Sequence, residues 1–315
     1  MSAARLVSGR IDKTEAFGIN FAMAMAPRPP ALQVRAEPVS KNKEVTDLGK
    51  FDGVLLVSDF DDTLYGSDLR VPPVNVEAID YFTGSGGTFT VATGRAHPTF
   101  APHARIVNIN APVILSNGSA LYDFKADRMI YETFLPDRVR EDLQLVARDI
   151  PEIGFEAYNH DDIYVYQPNA VTRNHLNRAG MDAAEVPIGE MPLPWSKVIL
   201  QQKNEVLRRT QKYMLERWGA EYEVIFSNAV LLELTRKGSN KGGMVDYLVK
   251  YLGMDPKKVY CVGDNQNDIP MLARSAIPFA PSNCAQEVKD WGARILCSCE
   301  EGCIAQIIQE LDKLY

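Results

Sequence analysis

Short apolar runs that end in polar residues recur along most of the chain, with stretches of helical spacing between them. Five of these runs are predicted to be strands: Val54–Ser58, Thr88–Ala92, Val113–Leu115, Val259–Val262 and Ile277–Phe279. Strands that alternate with helices are typical of a parallel sheet that helices cover on both faces. The pattern therefore predicts an α/β fold with a doubly wound, mainly parallel sheet.

The helices of this core have recognisable ends. One helix is predicted from Pro72 and Pro73 to Phe82, and a second covers "KGGMVDYLVKYLG" and ends at Gly253. Proline in the first turn and glycine after the last turn mark such boundaries. The last predicted helix is "EGCIAQIIQELDKLY", at residues 301–315.

The middle of the chain has a different order of elements. "SALYDF" and "RMIYETF" predict a hairpin, and the helix "PDRVREDLQLVARDI" then precedes the strands "IGFEAYN" and "DIYVYQP". The strand "SKVILQQ", the helix "NEVLRRTQKYMLERWG" and the strands "EYEVIFS" and "VLLELT" follow. We interpret residues 121–235 as an inserted α+β domain, which divides the core into residues 46–120 and 236–315.

Residues 1–45 lack sustained periodicity and contain the stretch "APRPPAL". We expect them to form a flexible or loosely docked extension. The segment "AFGINFAMAMA" has the length of a signal-peptide core, but Gly18 and Asn20 interrupt it and Glu15 precedes it. Organellar targeting by this segment is therefore the less favoured hypothesis.

Composition narrows the class of protein. The 315 residues include 46% hydrophobic residues, and 34 Lys and Arg against 41 Asp and Glu give a net charge of −7. This balance disfavours binding to nucleic acid or to an anionic membrane. No apolar run approaches the roughly 18 residues of a membrane span.

The five cysteines, an odd number, indicate reduced thiols and a cytoplasmic location. Cys297, Cys299 and Cys303 lie close together in the sequence, but no His is near them and a fourth ligand is missing. A structural zinc site is therefore disfavoured.

Acidic side chains follow two of the predicted strands. Asp59 and Asp61 follow the first strand, and residues two apart in extended backbone point to the same side. Asp264 and Asp268 follow the strand that ends at Val262. Because ligands bind beyond the carboxyl ends of parallel strands, we expect these carboxylates to converge at a site, rather than to lie in solvated turns.

Convergent carboxylates require a cation. Two negative charges 4 Å apart repel each other by about 4 kcal/mol at an effective dielectric constant near 20. The candidate ligands are all oxygens, which favours Mg²⁺ over Zn²⁺. A twelve-residue calcium loop from Asp264 does not fit, because Ile269 stands at its glycine position and Ser275 at its glutamate position.

Two further segments indicate a phosphate. Thr93, Gly94 and Arg95 follow another strand and offer a hydroxyl and backbone N–H groups. Lys241 falls in the first turn of a helix, where a cation is unfavourable, so we expect it to have an anionic partner; Lys237 is a competing candidate. Together with the carboxylates, these residues describe a Mg²⁺-assisted phosphoryl-transfer site.

The motifs resemble those of the haloacid dehalogenase superfamily. "DFDDT" matches its D-x-D-x-T motif, "VATGR" its hydroxyl-bearing second motif, Lys241 its third motif and "GDNQND" its acidic fourth motif. With "NG" at Asn117 and Gly118 and the large insertion, residues 50–315 are similar to the Cof-type branch of sugar-phosphate phosphatases. Asp62 departs from that branch, which commonly has Gly at this position.

The resemblance implies a role for each motif residue. Asp59 would be the nucleophile that forms an aspartyl-phosphate, and Asp61 the general acid and later the base. Asp59, the main-chain carbonyl of Asp61, and Asp264 would bind Mg²⁺. The residues expected to contact the phosphoryl group are Thr93, Gly94, Lys241 and Asn267. The residues expected to support them are Thr63, Arg95, Asn117 and Asp268, with Asp268 paired to Lys241. The inserted domain would be a cap that closes over the substrate.

We therefore predict a Mg²⁺-dependent phosphatase that acts on a small phosphorylated metabolite, with a sugar phosphate as the first candidate. An acid at position 61 argues against a dehalogenase, because a leaving halide needs no proton. Two alternatives stay open: a phospho-ligand-binding or regulatory protein without turnover, and a phosphomutase or phosphotransferase. Serine or cysteine hydrolysis is disfavoured because the four histidines are scattered. The aromatic residues of "FEAYNHDDIYVYQ" are expected to pack within the insertion rather than to stack on a sugar.

Overall fold

Two sheets organise the part of the chain that the computed structural model describes, residues 49–160 and 162–315. The strands are β1 (Leu55–Asp59), β2 (Thr88–Ala92), β3 (Val113–Leu115), β4 (Ala120–Asp123), β5 (Arg128–Glu132), β6 (Gly154–Asn159), β7 (Asp162–Tyr166), β8 (Ala184–Glu185), β9 (Lys197–Gln201), β10 (Tyr222–Asn228), β11 (Leu231–Arg236), β12 (Val259–Val262), β13 (Pro278–Ala280) and β14 (Arg294–Ile295). The helices are α1 (Pro73–Gly84), α2 (His97–Phe100), α3 (Val139–Asp149), α4 (Ala170–Ala179), α5 (Asn204–Trp218), α6 (Lys241–Leu252), α7 (Ile269–Leu272), α8 (Gln286–Trp291) and α9 (Cys303–Leu311).

The first sheet has the order β14-β13-β12-β1-β2-β3-β4-β5. Its strands from β14 to β3 pair in parallel, and β4 and β5 extend it in antiparallel fashion. Alternate residues of the central strand face opposite sides: Leu56 packs in a core with α1 and α9, whereas Leu55 and Val57 pack in a core with α6 and α7. The predicted doubly wound α/β fold is confirmed.

The second sheet has the order β10-β11-β9-β6-β7-β8 and is antiparallel except for the pair of β7 and β8. On one face, the side chains of α3 and α5 pack against alternate residues such as Val198, Leu200 and Leu232. The opposite face carries Tyr158, Ile199 and Leu231, which cluster with Ala96. Ala96 belongs to the first unit, our name for residues 49–134 and 237–315, which hold the first sheet. We call residues 135–236, which hold this sheet and its helices, the cap unit.

The predicted start of the insertion at Leu121 differs from the structure. The hairpin of β4 and β5 pairs with β3 and belongs to the first sheet. The alternation of apolar and polar residues in a strand predicts which of its faces is buried, but it does not predict which other strand pairs with it. The sequence therefore could not assign the hairpin to one of the two sheets. Helix α4 was also not predicted, because Thr172 is its one buried residue.

The return connection from the cap unit to the first sheet is short. Strand β11 ends at Arg236 and α6 begins at Lys241. The Thr235 hydroxyl donates to the Ser239 carbonyl at 2.6 Å, and the Ser239 N–H donates to the Arg236 carbonyl at 2.8 Å. These bonds fix the connecting turn, so the position of β11 also determines where α6 starts.

The predicted N-terminal extension and its targeting hypothesis lie outside the described residues and stay predictions. The five cysteines are free thiols, so those of the cluster at residues 297–303 form no disulfide. In the part of the chain that the structure describes, no helix combines the length and the apolar character needed to cross a bilayer.

Candidate active site

Side chains from four separate segments meet at the carboxyl edge of the first sheet. Strands β12, β1 and β2 are parallel neighbours, so their carboxyl ends lie side by side. Asp59 is the last residue of β1, Thr93 follows β2, and Asp264 lies two residues beyond β12. Lys241, the first residue of α6, contacts Asp59 directly. The predicted convergence of these segments is therefore present in the structure.

Lys241 lies between two carboxylates. Its Nζ atom is 2.5 Å from Oδ1 of Asp59 and 2.6 Å from Oδ1 of Asp268, and all three residues are buried. Burial opposes the charge of Lys241, but the two carboxylates outweigh it and raise the pKa of this residue. Lys237, the competing candidate, pairs instead with Glu223 in the cap unit.

The residues Asp59, Asp264 and Asp268 each offer a carboxylate oxygen, and these oxygens lie within 4.8 Å of one another. Asp268 is already engaged, because its Oδ2 atom accepts the N–H groups of Asp264 and Asn265 at 2.9 and 3.0 Å. Oδ2 of Asp59, in contrast, is buried and has no hydrogen-bond partner. Burial raises the pKa of Asp59 in spite of the opposing charge of Lys241, and burial together with the neighbouring carboxylates raises the pKa of Asp264.

These residues fit a divalent cation. A buried carboxylate oxygen without a partner is unfavourable unless a cation or a donor completes it. The donor set of Asp59 and Asp264 consists of oxygens, which suits a hard ion such as Mg²⁺. Thr63 supports this set, since its hydroxyl lies 3.3 Å from Oδ1 of Asp264.

Asp61 is held by Arg95 at the wall of the cavity described below. The guanidinium donates from Nε at 2.9 Å and from Nη2 at 2.6 Å to the two carboxylate oxygens. Arg95 is itself fixed, because it lies over the Phe60 ring at 5.0 Å from the centroid. Such a bidentate pair orients the carboxylate strongly.

The loop after β2 contributes Gly94 and Arg95 to the site, and hydrogen bonds fix its shape. The Thr93 hydroxyl is buried and accepts the Arg95 N–H at 3.0 Å, and the Thr93 carbonyl accepts the Asn117 N–H at 3.0 Å. Asn117 has a left-handed backbone with φ of 52°. Its Oδ1 accepts from Asn267 at 3.0 Å, whereas its Nδ2 is buried without a partner. The Asn117 amide therefore offers a free donor close to Gly94.

A cavity of about 600 Å³ lies between the first sheet and the cap unit. This volume is within the usual range for small-molecule sites. From the first unit it is lined by Asp59, Asp61, Asp62, Gly94, Arg95, Thr99, Asp264, Asn265 and Asn267. Polar residues of the cap unit line it as well: Tyr158, Asn174, His175, Asn177, Arg178, Lys197, Ser227, Asn228 and Glu233. The buried residues Thr93 and Lys241 are not part of this lining.

Comparison with known proteins identifies the family. The sequence profile of the haloacid dehalogenase-like hydrolases matches residues 56–308. The chain belongs to this family.

Two named relatives of this hydrolase are phosphatases. The pyridoxal phosphate phosphatase of Escherichia coli K12 is 27% identical over 256 residues, which is 75% of this chain and 90% of that protein. The HMP-PP phosphatase of Serratia proteamaculans 568 is 24% identical over 270 residues, which is 81% of this chain and 94% of that protein. These relatives and the family confirm the predicted enzyme class, a phosphoric monoester hydrolase.

The fold of this haloacid dehalogenase-like hydrolase also has a solved counterpart. The structure of a sugar phosphatase of haloacid dehalogenase subclass IIB superposes with a TM-score of 0.73 at 19% identity. The superposition covers 82% of this chain and 99% of that chain. At this level of identity, the likeness establishes the common fold.

The sequence analysis did not find the polar residues that this hydrolase contributes from its cap unit. Lys197 precedes the apolar run of β9 and Glu233 interrupts the apolar run of β11, and burying a charge there is unfavourable without a partner. That interruption of the strand pattern was the available signal. Tyr158 also lines the cavity, whereas Phe155, Tyr164 and Tyr166 pack in the cap unit as expected for that aromatic segment.

Proposed function

We propose that this protein is a Mg²⁺-dependent phosphatase that hydrolyses a small phosphorylated metabolite through an aspartyl-phosphate at Asp59. The observation that carries the proposal is the state of the Asp59 carboxylate. Lys241 holds Oδ1, and Oδ2 stays free of hydrogen bonds in a residue that lines the cavity. A carboxylate fixed in this way presents one oxygen for attack on phosphorus.

Each step has a residue to perform it. One oxygen of the Asp59 carboxylate forms a bond to phosphorus while the bond from phosphorus to the ester oxygen breaks. Asp61 gives a proton to that oxygen, which leaves as the alcohol. Water then attacks the aspartyl-phosphate, Asp61 takes the proton from the water, and inorganic phosphate leaves as the Asp59 carboxylate is restored. Since Asp61 is paired with Arg95, this pair has to open when the substrate enters.

The remaining residues are proposed to bind the metal ion and the phosphoryl group or to position Asp59. A Mg²⁺ ion held by Asp59, Asp264 and the main-chain carbonyl of Asp61 would neutralise the approach of a carboxylate to a phosphate dianion. Gly94 and Asn267 line the cavity and are proposed to contact the phosphoryl oxygens, with Thr93 behind them. Lys241 and Asp268 set the position and charge of Asp59.

The cap unit is proposed to act as the lid of the site. It provides more than half of the residues that line the cavity, and its polar residues suit a polar leaving group. The relatives include a pyridoxal phosphate phosphatase and a sugar phosphatase, which both act on small phosphorylated molecules by their names. We propose a sugar phosphate or a similar polar monoester as the substrate.

The test is the variant Asp59→Asn, assayed with p-nitrophenyl phosphate and Mg²⁺. We expect a loss of kcat/KM of about 1,000-fold or more, because the amide cannot form the covalent intermediate. The exposed Asp80→Asn on α1 is the matched control and should keep the wild-type rate. Equal turnover by Asp59→Asn would refute the assigned nucleophile. A folded wild-type protein that binds phosphate monoesters without hydrolysing them would favour the regulatory alternative.

A further inference from the structure

Two buried, oppositely charged side chains of the cap unit lie beside residues 93–95, the loop after β2, which we call the catalytic loop. Lys197 on β9 is 2% exposed and Glu233 on β11 is 6% exposed, and both line the cavity. Nζ of Lys197 donates to the Gly94 carbonyl at 2.6 Å and lies 4.3 Å from the centroid of the Tyr158 ring. Lys197 is therefore held by the first unit on one side and by the cap unit on the other.

Lys197 and Glu233 do not form a direct hydrogen bond. Nζ of Lys197 and Oε2 of Glu233 are 4.0 Å apart, which is too long for a direct hydrogen bond. Oε2 of Glu233 is buried and has no hydrogen-bond partner. An unsatisfied buried carboxylate oxygen is strongly unfavourable, so the arrangement lacks one polar group between these two atoms.

A hydroxyl group would satisfy both atoms. An oxygen at ordinary hydrogen-bond lengths of about 2.7 to 2.9 Å from both atoms makes an angle of about 90° between them, which a hydroxyl oxygen tolerates. A hydroxyl donates to Glu233 and accepts from Lys197 at the same time. An anionic group would meet the Glu233 carboxylate, a cationic group would meet the Lys197 ammonium, and an apolar group would leave both unsatisfied.

The gap lies close to the place of the reaction. Oε1 of Glu233 is 3.1 Å from the position that a Cβ atom on Gly94 would occupy. Gly94 lines the same cavity as Asp59 and follows Thr93 in the catalytic loop. A hydroxyl bound here would therefore belong to the part of the substrate next to its ester bond.

We infer that Lys197 and Glu233 form a specificity site for a hydroxyl group of the leaving alcohol, and that the enzyme prefers phosphate monoesters with a hydroxyl on the carbon beside the ester carbon, as in polyol and sugar phosphates. The inference rests on the proposed function and adds the residues that select the substrate and the hydroxyl group that they recognise.

The test compares two substrates that differ by one hydroxyl, propane-1,2-diol 1-phosphate and n-propyl phosphate. We expect the wild-type kcat/KM to favour the hydroxylated ester about tenfold or more. In Glu233→Leu this ratio should fall towards one, and in Glu233→Gln, which keeps an acceptor, part of it should remain. Glu216→Leu, an exposed change on α5 of the same cap unit, is the control and should keep the wild-type ratio.

Binding provides a second measurement that does not depend on turnover. Calorimetric titration of the full-length Asp59→Asn protein with the two esters, in Mg²⁺, should give tighter binding of the hydroxylated ester. The double variant Asp59→Asn/Glu233→Leu should lose that difference. Circular dichroism and the melting temperature establish that each variant is folded.

The outcomes separate the two proposals. Asp59-dependent hydrolysis of p-nitrophenyl phosphate together with equal kcat/KM values for the two alkyl esters would overturn the specificity site and leave the proposed function in place. A loss in Glu233→Leu that is equal for both esters would make the pair a docking contact of the cap unit and would also overturn it. If p-nitrophenyl phosphate is not hydrolysed, the proposed function fails, and equal binding of the two esters then decides against the specificity site as well.

Discussion

Glu156 lies fully buried in β6 of the cap unit, and three side chains hydrogen-bond to its carboxylate. Tyr158 donates at 2.8 Å, Gln201 donates at 2.6 Å, and Nδ1 of His175 lies 3.0 Å away. Burial raises the pKa of Glu156, but the bonds from His175, Gln201 and Tyr158 outweigh this effect and hold the pKa below its ordinary value. Since Tyr158 and His175 line the cavity, a single buried charge orients part of the substrate-facing wall.

The lowered pKa of Glu156 predicts a pH dependence of stability. The ionised carboxylate makes its full contribution to the free energy of unfolding at pH values above 4.5, the ordinary pKa of Glu. This contribution is lost as the pH falls through the lower pKa of the folded state. Glu156→Gln should lower the free energy of unfolding by about 1 to 3 kcal/mol at pH 7, because a charged acceptor is replaced by an amide. The difference from wild type should shrink as the pH is lowered to 3.

Urea unfolding at several pH values between 7 and 3 measures this difference. Glu141→Gln on the exposed side of α3 is the control and should stay close to wild type throughout. A difference between Glu156→Gln and wild type that is constant across the pH range would contradict the prediction.

At the scale of elements, the first turn of α6 packs against the backbone of α7. A Cβ atom on Gly242 would lie 2.1 Å from the Pro270 carbonyl oxygen, which is backbone and cannot turn away. Asn240 caps this first turn, because its side chain accepts the Gly243 N–H at 2.9 Å. Because Lys241 precedes Gly242, this close approach also sets the position of the lysine that holds Asp59.

Gly242→Ala should therefore lower the free energy of unfolding by about 1 to 3 kcal/mol, as expected for overpacking, and reduce kcat as Lys241 shifts. The matched control is Gly84→Ala at the end of α1, where a Cβ atom would meet nothing within 4 Å. An alanine there should stabilise the helix by up to about 1 kcal/mol. Denaturation midpoints and initial rates measure both variants, and equal stability of the two would remove the packing argument.

At the scale of the whole molecule, the site joins segments that are far apart in the sequence. Residues near positions 59, 93, 241 and 264 converge, although the cap unit separates the first two from the last two. Buried like charges oppose this assembly in the absence of a cation. The free energy of metal binding to the native state therefore adds directly to the stability of the fold.

Asp264→Asn should separate stability from function. Without Mg²⁺, we expect the variant to melt at a higher temperature than wild type, because one of the repelling carboxylates is gone. With Mg²⁺ at about 100 times its Kd, wild type should gain roughly 2.7 kcal/mol, and the variant should gain little and lose most of its activity. Melting curves in EDTA and in Mg²⁺ measure both effects; an unchanged Mg²⁺ shift in the variant would exclude Asp264 as a ligand.

The core could be predicted from the sequence because its signals are local. Continuous apolar runs placed β2, β3 and β12 with the observed bounds, and the glycine at position 253 marked the end of α6 through its left-handed backbone. The acidic motifs could be placed at strand ends for the same reason. The convergence of these ends then follows from the parallel pairing of the strands.

The features that could not be predicted depend on how separate elements meet. The hairpin of β4 and β5 joins the first sheet through its pairing with β3, which no property of the hairpin itself specifies. Lys197 and Glu233 acquire a role because β9 and β11 face the loop at Gly94. The same is true of the pair of Asp61 and Arg95, whose members are far apart in the chain.

The short turn between β11 and α6 has a consequence for protein engineering. Only residues 237–240 connect the last strand of the cap unit to Lys241, which contacts Asp59, and hydrogen bonds fix their shape. A chimera that carries another enzyme's lid must therefore keep the length and conformation of this tether. A graft joined through a longer, looser hinge would leave the new lid well folded while the ammonium group drifts away from the carboxylate it has to hold.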